Sequence, residues 1–486
     1  MPCTTILVGK KASYDGSTMI ARNDDGFFDI KKMIVVDPKD QPRKYKSVIS
    51  HVTVDLPDNP MRYTSTPNVD PYEGVWGANG INEANVAMTA TETTTTNALV
   101  MGADPYVKYI KADKSKKQKE VIGGLGEEDL LVCVLPYINS AREGVKRLGA
   151  LLEQYGTYES NGIGFSDNDE VWWFETIGGH HWMARRVKDD EVAILPNWFS
   201  LTKFDMADAM SEQKNNMCSK DLEKFIYDNN LVMDYDGKFN PRVAFGTHSD
   251  ADHIYNTPRA WYMGRYFCPK SYKWDGPNAD FTPMSDDIPW AVKPDFKVTV
   301  EDVKYVLSSY YQGTEYNPHG IGDKKGIYRP IGISRTGVMA VLQIRNNVPD
   351  AIAAVEWLCF GCNAYNVAVP FYTNVDKLPA YISSTKVDVD SDTYYWGSRL
   401  IGALADHSFN TCVQWIERYQ KAVSYRGHQI LKEYDEKMVN TNTYNLLKEA
   451  NQKFADMAKE ETTKTLNKVL FESSKAMKLT YQRTDN

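Results

Sequence analysis

No apolar run in the 486 residues approaches the roughly 20 needed to span a bilayer, and no signal-peptide type of apolar segment follows Met1. The expectation is a cytoplasmic protein with no membrane partner. Cysteine is sparse: seven, at positions 3, 133, 218, 268, 359, 362 and 412. An odd, scattered set excludes a disulfide framework and suits a reducing compartment. Excess positive charge is missing too. The net charge of -8 argues against binding a phosphate backbone, so no nucleic-acid partner is expected. The six lysines of the stretch 108–119 come with little apolar content and read as a solvated loop.

Metal and cofactor signatures are also lacking. Gly123-Gly124-Leu125-Gly126 has no Lys-Ser/Thr ending and is no phosphate cradle. His248 and His253, with Asp250 and Asp252 between them, match no zinc spacing and read as surface loop. Cys359-Phe360-Gly361-Cys362 has no second ligand pair at zinc spacing, so neither metal nor thiol redox chemistry is supported. No metal and no organic cofactor is expected, and there is no internal repeat or low-complexity segment.

What is present begins with Cys3. Thr4 to Val8 are β-branched or aliphatic and predict a strand; Met19 to Asp25 reads as its return, with Asp15-Gly16 as a hairpin signal. The turn is either two residues at Asp15-Gly16 or a longer loop from Lys10 to Thr18. Either hairpin brings Arg22 and Asp25 toward the cysteine. A thiolate attacks where a thiol of pKa about 8.5 barely does. If Met1 and Pro2 are removed, Cys3 carries an α-amine of pKa about 7.7–8.0 that takes the thiol proton. Arg22 then favours the thiolate and Asp25 holds the amine. The competing reading is a buried structural cysteine beside a salt bridge.

Farther along, Met33 to Val36 and Val48 to Val54 read as short strands, and Asn85 to Glu92 as a central strand ending in a carboxylate. Glu127 to Tyr155 predicts a helix with an acidic first turn and apolar residues at about 3.6-residue spacing, kinked or divided at Pro136. Ile163 to Pro196 reads as an antiparallel meander. Thr202 to Tyr235 reads as mostly helical, then loops run to Pro294. Val300 to Tyr311 reads as a short helix, and Ile331 to Arg345 and Ala351 to Val369 as strands. The organisation expected is one α+β domain over residues 3–390, with a helical region over 391–486 packed on it.

Cys3-Thr4-Thr5, Ala21-Arg22-Asn23-Asp24-Asp25, Gly80-Ile81-Asn82-Glu83, Gly126-Glu127-Glu128-Asp129-Leu130, Glu170-Val171-Trp172-Trp173-Phe174-Glu175 and Thr257-Pro258-Arg259-Ala260-Trp261 resemble the dipeptidase A family. These are cysteine N-terminal-nucleophile hydrolases, relatives of bile salt hydrolase and penicillin V acylase. The resemblance covers most of the chain. It implies an αββα sandwich of two mainly antiparallel sheets, short peptide substrates, no cofactor and a homo-oligomer. It implies Cys3 as nucleophile, with Arg22, Asp25, Asn197 as side-chain oxyanion donor, and Arg259 as a second active-site arginine, for which Arg242 competes. Glu92 departs from the pattern. It falls near where the acylases carry an asparagine oxyanion donor, and a carboxylate there suits the ammonium group of a peptide. The implied activity is a cysteine dipeptidase working through a thioester. An N-acyl amide hydrolase and a non-enzymatic scaffold are the alternatives.

Overall fold

The computed structural model describes residues 3–26, 29–232, 238–441 and 444–479. Met1 and Pro2, whose removal the nucleophile reading requires, lie outside the described residues.

Two antiparallel sheets face each other. The larger runs, in spatial order, Ala291–Val292, Val192–Leu195, Cys3–Val8, Thr18–Asp24, Val338–Ile344, Ala354–Phe360, Val369–Tyr372. The smaller runs Asn216–Cys218, Trp182–Val187, Val171–Thr176, Asn161–Ser166, Ala87–Thr93, Asn79–Ile81. The strands Cys3–Val8 and Thr18–Asp24 pack against Ala87–Thr93 across the interface. The helices Glu127–Val134 and Ala141–Tyr155 cover the outer face of the smaller sheet; Val300–Leu307, Tyr394–His407 and Tyr444–Lys475 cover that of the larger. This is the α+β, four-layer αββα arrangement.

The first strand lies inside the sheet, between Val192–Leu195 and Thr18–Asp24, and all six of its residues are buried. Its partner begins at Thr18, so the connection is the longer loop, with Gly16 at φ 83° taking a turn that L side chains rarely adopt. The register pairs Cys3 with Asp24 and Thr5 with Arg22. Gly80 sits where a Cβ would stand 2.1 Å from the Thr64 carbonyl oxygen, which accounts for a glycine in Gly-Ile-Asn-Glu.

Several expectations need correction. The stretch read as one meander splits: its last strand, Val192–Leu195, leaves the smaller sheet and pairs with Cys3–Val8. The helix from Glu127, by contrast, is divided at Pro136 as expected, the second half restarting at Ala141 with Ser140 as its cap. Among the described residues, the stretch read as helical from Thr202 holds only the short helices Met206–Ala209 and Leu222–Asp228 around the edge strand Asn216–Cys218. The segment read as a strand from Val48 is instead a small ribbon pairing Lys44–Lys46 with Thr53–Asp55. Within the loops expected before Pro294 stands a helix, Thr257–Phe267, opened by Pro258 in its first turn.

At the C-terminal end, Phe409–Thr441 and Tyr444–Lys475 lie against each other, and the second packs on the edge strand Val369–Tyr372. Asp435 fastens this pair to the sheet. It accepts from Arg345 Nη1 at 2.6 Å and from the Tyr372 hydroxyl at 2.7 Å.

Candidate active site

Cys3, Thr5, Arg22 and Asp24 share the face of the larger sheet that looks toward the smaller one, a consequence of period-two alternation and the Thr5–Arg22 register. Arg22 Nη2 lies 2.9 Å from Cys3 Sγ. The same nitrogen donates to Glu127 Oε1 at 2.6 Å, and Asp24 Oδ1 is 3.7 Å away. Lys31, itself buried, stands 3.4 Å from Asp24 Oδ2 and donates to the Trp76 carbonyl at 2.7 Å. A buried relay of alternating charge therefore ends on the thiol.

The electrostatics follow from burial. Burial pushes the Cys3 thiol well above its ordinary value; Arg22 pulls it down, while Glu92, Glu127 and Asp24 push it up. Burial also works against the Arg22 charge, but Cys3, Glu127 and Asp24 together hold the guanidinium above its usual range. Asp24 is held below its usual range: Lys31 and Arg22 outweigh the cost of burying it. Without a nearby base the thiol stays protonated and inert.

The Cys3 nitrogen is held by Asn197. Asn197 Oδ1 accepts from Cys3 N at 3.1 Å and from Arg259 Nη2 at 2.8 Å, while Asn197 Nδ2 donates to the Thr93 carbonyl at 2.9 Å. Two donors on one side fix the amide's orientation. Arg259 also donates to the Cys3 carbonyl, to Thr4 Oγ1 at 2.7 Å and to Asn256 Oδ1 at 2.9 Å. The Thr257–Phe267 helix thus brings this arginine onto the first strand.

Arg242 is elsewhere. It stacks over Trp198 at 4.0 Å and donates to the carbonyls of Phe199, Ser200, Asp286 and Ile288. Of the two competing arginines, only Arg259 reaches Cys3.

Asp25 does not meet the Cys3 nitrogen. Its carboxylate takes Arg329 on one oxygen and Thr336 Oγ1, at 2.6 Å, on the other. The reason is register: Asp25 lies one residue beyond the pair Cys3–Asp24, on the opposite face. Arg329 is the residue that sequence reasoning missed. It and Arg259 lie over the Tyr255 ring, each 5.0 Å from its centroid.

Glu92 closes the site from the smaller sheet. It is fully buried, and its Oε2 accepts from Thr5 Oγ1 at 2.7 Å, while Oε1 has no hydrogen-bond partner. Burial raises its carboxyl to about 7, against the pull of Arg259, Thr5, Arg22 and Arg329. A pocket of about 350 Å³ opens beside these groups, lined by Thr93, Thr95, Asn197, Asp252, Tyr255 and Asn256. Cys359 and Cys362 are buried on other strands and loops, and among the described residues no group of three or more His, Cys, Asp or Glu is arranged to hold a metal.

A model of peptidase family C69 matches residues 2–422. The chain is 49% identical over 534 residues to a dipeptidase of Bifidobacterium longum (strain NCC 2705), spanning 100% of both chains. It is 48% identical over 492 residues to a probable dipeptidase A of Streptococcus pyogenes serotype M3 (strain SSI-1), again 100% of each. Against dipeptidase A of Lactobacillus helveticus it is 42% identical over 497 residues, covering 99% of each.

Proposed function

The chain belongs to peptidase family C69, and on that premise we propose that it is a dipeptidase whose nucleophile is Cys3, acting as an N-terminal residue once Met1 and Pro2 are gone. The observation that carries this reading is double: Arg22 sits 2.9 Å from the thiol, and Asn197 holds the Cys3 nitrogen at 3.1 Å. With the preceding bond cleaved, that nitrogen becomes an α-amine of pKa about 7.7–8.0, matched to general-base work near neutrality.

The α-amine takes the Sγ proton as the thiolate attacks the scissile carbonyl carbon, and a tetrahedral oxyanion forms. The free Asn197 Nδ2 hydrogen, with a backbone N–H, stabilises it. Collapse breaks the C–N bond; the amine returns its proton to the leaving nitrogen, and the acyl group stays on Cys3 as a thioester. Water then attacks, giving its proton to the α-amine, and the carboxylic product leaves as the thiol reforms. Glu92 supports a peptide substrate over an apolar N-acyl one, because a buried carboxylate with an unfilled oxygen matches an ammonium group.

Intact mass and N-terminal sequencing of active protein test the reading. Activity should appear only in molecules beginning at Cys3, and Cys3→Ala should abolish turnover without unfolding the protein. Full activity in a population that keeps Met1 or Pro2 would exclude the α-amine as base.

A further inference from the structure

A cavity of about 900 Å³ lies away from Cys3. It lies on the other side of the larger sheet, between the helices Val300–Leu307 and Phe409–Thr441. Register shows the separation. Trp357 at the cavity floor pairs with Val341, Val341 with Ala21, and Ala21 with Ile6. Those side chains point away from the face that carries Thr5 and Arg22.

The walls are apolar and aromatic, with Phe409, Val413, Ile416 and Tyr365 beside Trp357, in the volume range of about 300–1,000 Å³ typical of small-molecule sites. One charged group stands among them without a counterpart. Among the described residues, none makes a hydrogen bond or ion pair with the Lys304 ammonium. The cavity's two acids do not serve it: Glu301 is taken by His428 Nε2 at 2.6 Å and by Ser424 Oγ at 2.9 Å, and Glu417 makes no ion pair with it. Lys421 and Lys432 at the rim add positive charge. Burial holds the Lys304 amine below its ordinary value, at about 8. Lys304 is half-buried in the cavity wall with no charge partner, so an anion brought into the cavity gains a charge-assisted hydrogen bond there.

We propose that this cavity is a second binding site, separate from the peptidase centre, for an anionic amphiphile: a carboxylate or similar single anion on an extended apolar body. The head group meets Lys304, and the body lies along Trp357, Ile416 and Phe409.

Titration calorimetry with sodium dodecanoate below its micellar concentration tests this, with dodecyltrimethylammonium as the cation of equal tail. Dodecanoate should bind one to one, equally well to Cys3→Ala protein, and the cation should not. Lys304→Met should weaken dodecanoate roughly 10- to 150-fold, while Lys304→Arg keeps it within a few-fold. Val413→Trp, which fills the cavity, should abolish binding and leave dipeptide turnover intact. Equal affinity for anion and cation, or an unchanged affinity in Lys304→Met, would overturn the proposal. So would competition between dodecanoate and dipeptide, which would place the anion at Cys3. A fall in mass of the native particle on Val413→Trp, seen by sedimentation, would show that a second copy covers the groove instead.

Discussion

Arg22 and Glu127 share a single buried contact, Nη2 to Oε1 at 2.6 Å, made by the same nitrogen that reaches the Cys3 thiol. An opposite charge within about 4–6 Å lowers an acid's pKa by about 1–3 units. Arg22→Met should therefore raise the thiol pKa of processed protein by about that much. Alkylation of Cys3 at neutral pH should slow at least roughly tenfold. Glu127→Gln removes a negative charge that pushes the thiol up, so its profile should move the other way. Mass-spectrometric alkylation rates across pH decide it; coincident profiles for the two variants would remove Arg22 from the thiol's chemistry.

Glu92 sets a comparison of two substrates. A charge-assisted hydrogen bond to a peptide ammonium is worth about 1.5–3 kcal/mol, or roughly 10- to 150-fold. The native enzyme should favour a dipeptide with a free amine over its N-acetyl form by that order. Glu92→Gln should erase the preference by lowering kcat/KM for the free dipeptide alone. Equal losses on both substrates would make Glu92 structural.

The same carboxyl predicts opposite trends with pH. Its folded value is about 7 against an ordinary 4.5, so the folded state prefers it protonated. Its contribution to stability is complete below pH 4.5 and is lost as pH rises through about 7. Ionisation of the folded carboxyl, centred near 7, creates the partner for the ammonium. Native protein should lose stability relative to Glu92→Gln between those values, and its preference for free dipeptides should rise as pH passes through about 7. Urea midpoints and substrate ratios at matched pH measure both; parallel trends would contradict the assignment.

Asp435 offers a test of how the C-terminal helices join the rest. Replacing it with Asn leaves the Arg345 charge poorly matched and weakens the Tyr372 bond, at a cost of about 1.5–3 kcal/mol. A single urea transition at a lower midpoint is expected. An unchanged midpoint would mean that the pair contributes nothing to holding the helices on the sheet.

Much of the site is legible in the chain. A cysteine ahead of a β-branched run, with Arg22 on the return strand, defines a hairpin whose pairing needs only alternation to place both groups on one face. Asn197 follows a strand directly, and its side chain is found on the Cys3 nitrogen. Elsewhere local pattern fails for identifiable reasons. Glu127 reads as a favourable charge in a helix's first turn, and nothing local says that a buried guanidinium will claim it. Proximity along the chain points Asp25 to the amine, whereas alternation turns it to the other face. Arg329 sits where the chain has no periodicity and is positioned by Asp25 and Pro330. The helix that brings in Arg259 begins at a proline, which is permitted in a first turn and was read instead as a loop residue.

The strand that carries Cys3 is made early and completed late. A ribosome releases this cysteine ahead of nearly everything around it: Arg22 follows soon, but Asn197, Arg259 and the neighbouring strand Val192–Leu195 come much later. Contacts so distant along the chain form slowly and only after most of the polypeptide is out. The nascent protein therefore carries Cys3 without Asn197 or Arg259 against it, and the surroundings of the thiol are completed only when the segments bearing those residues are out.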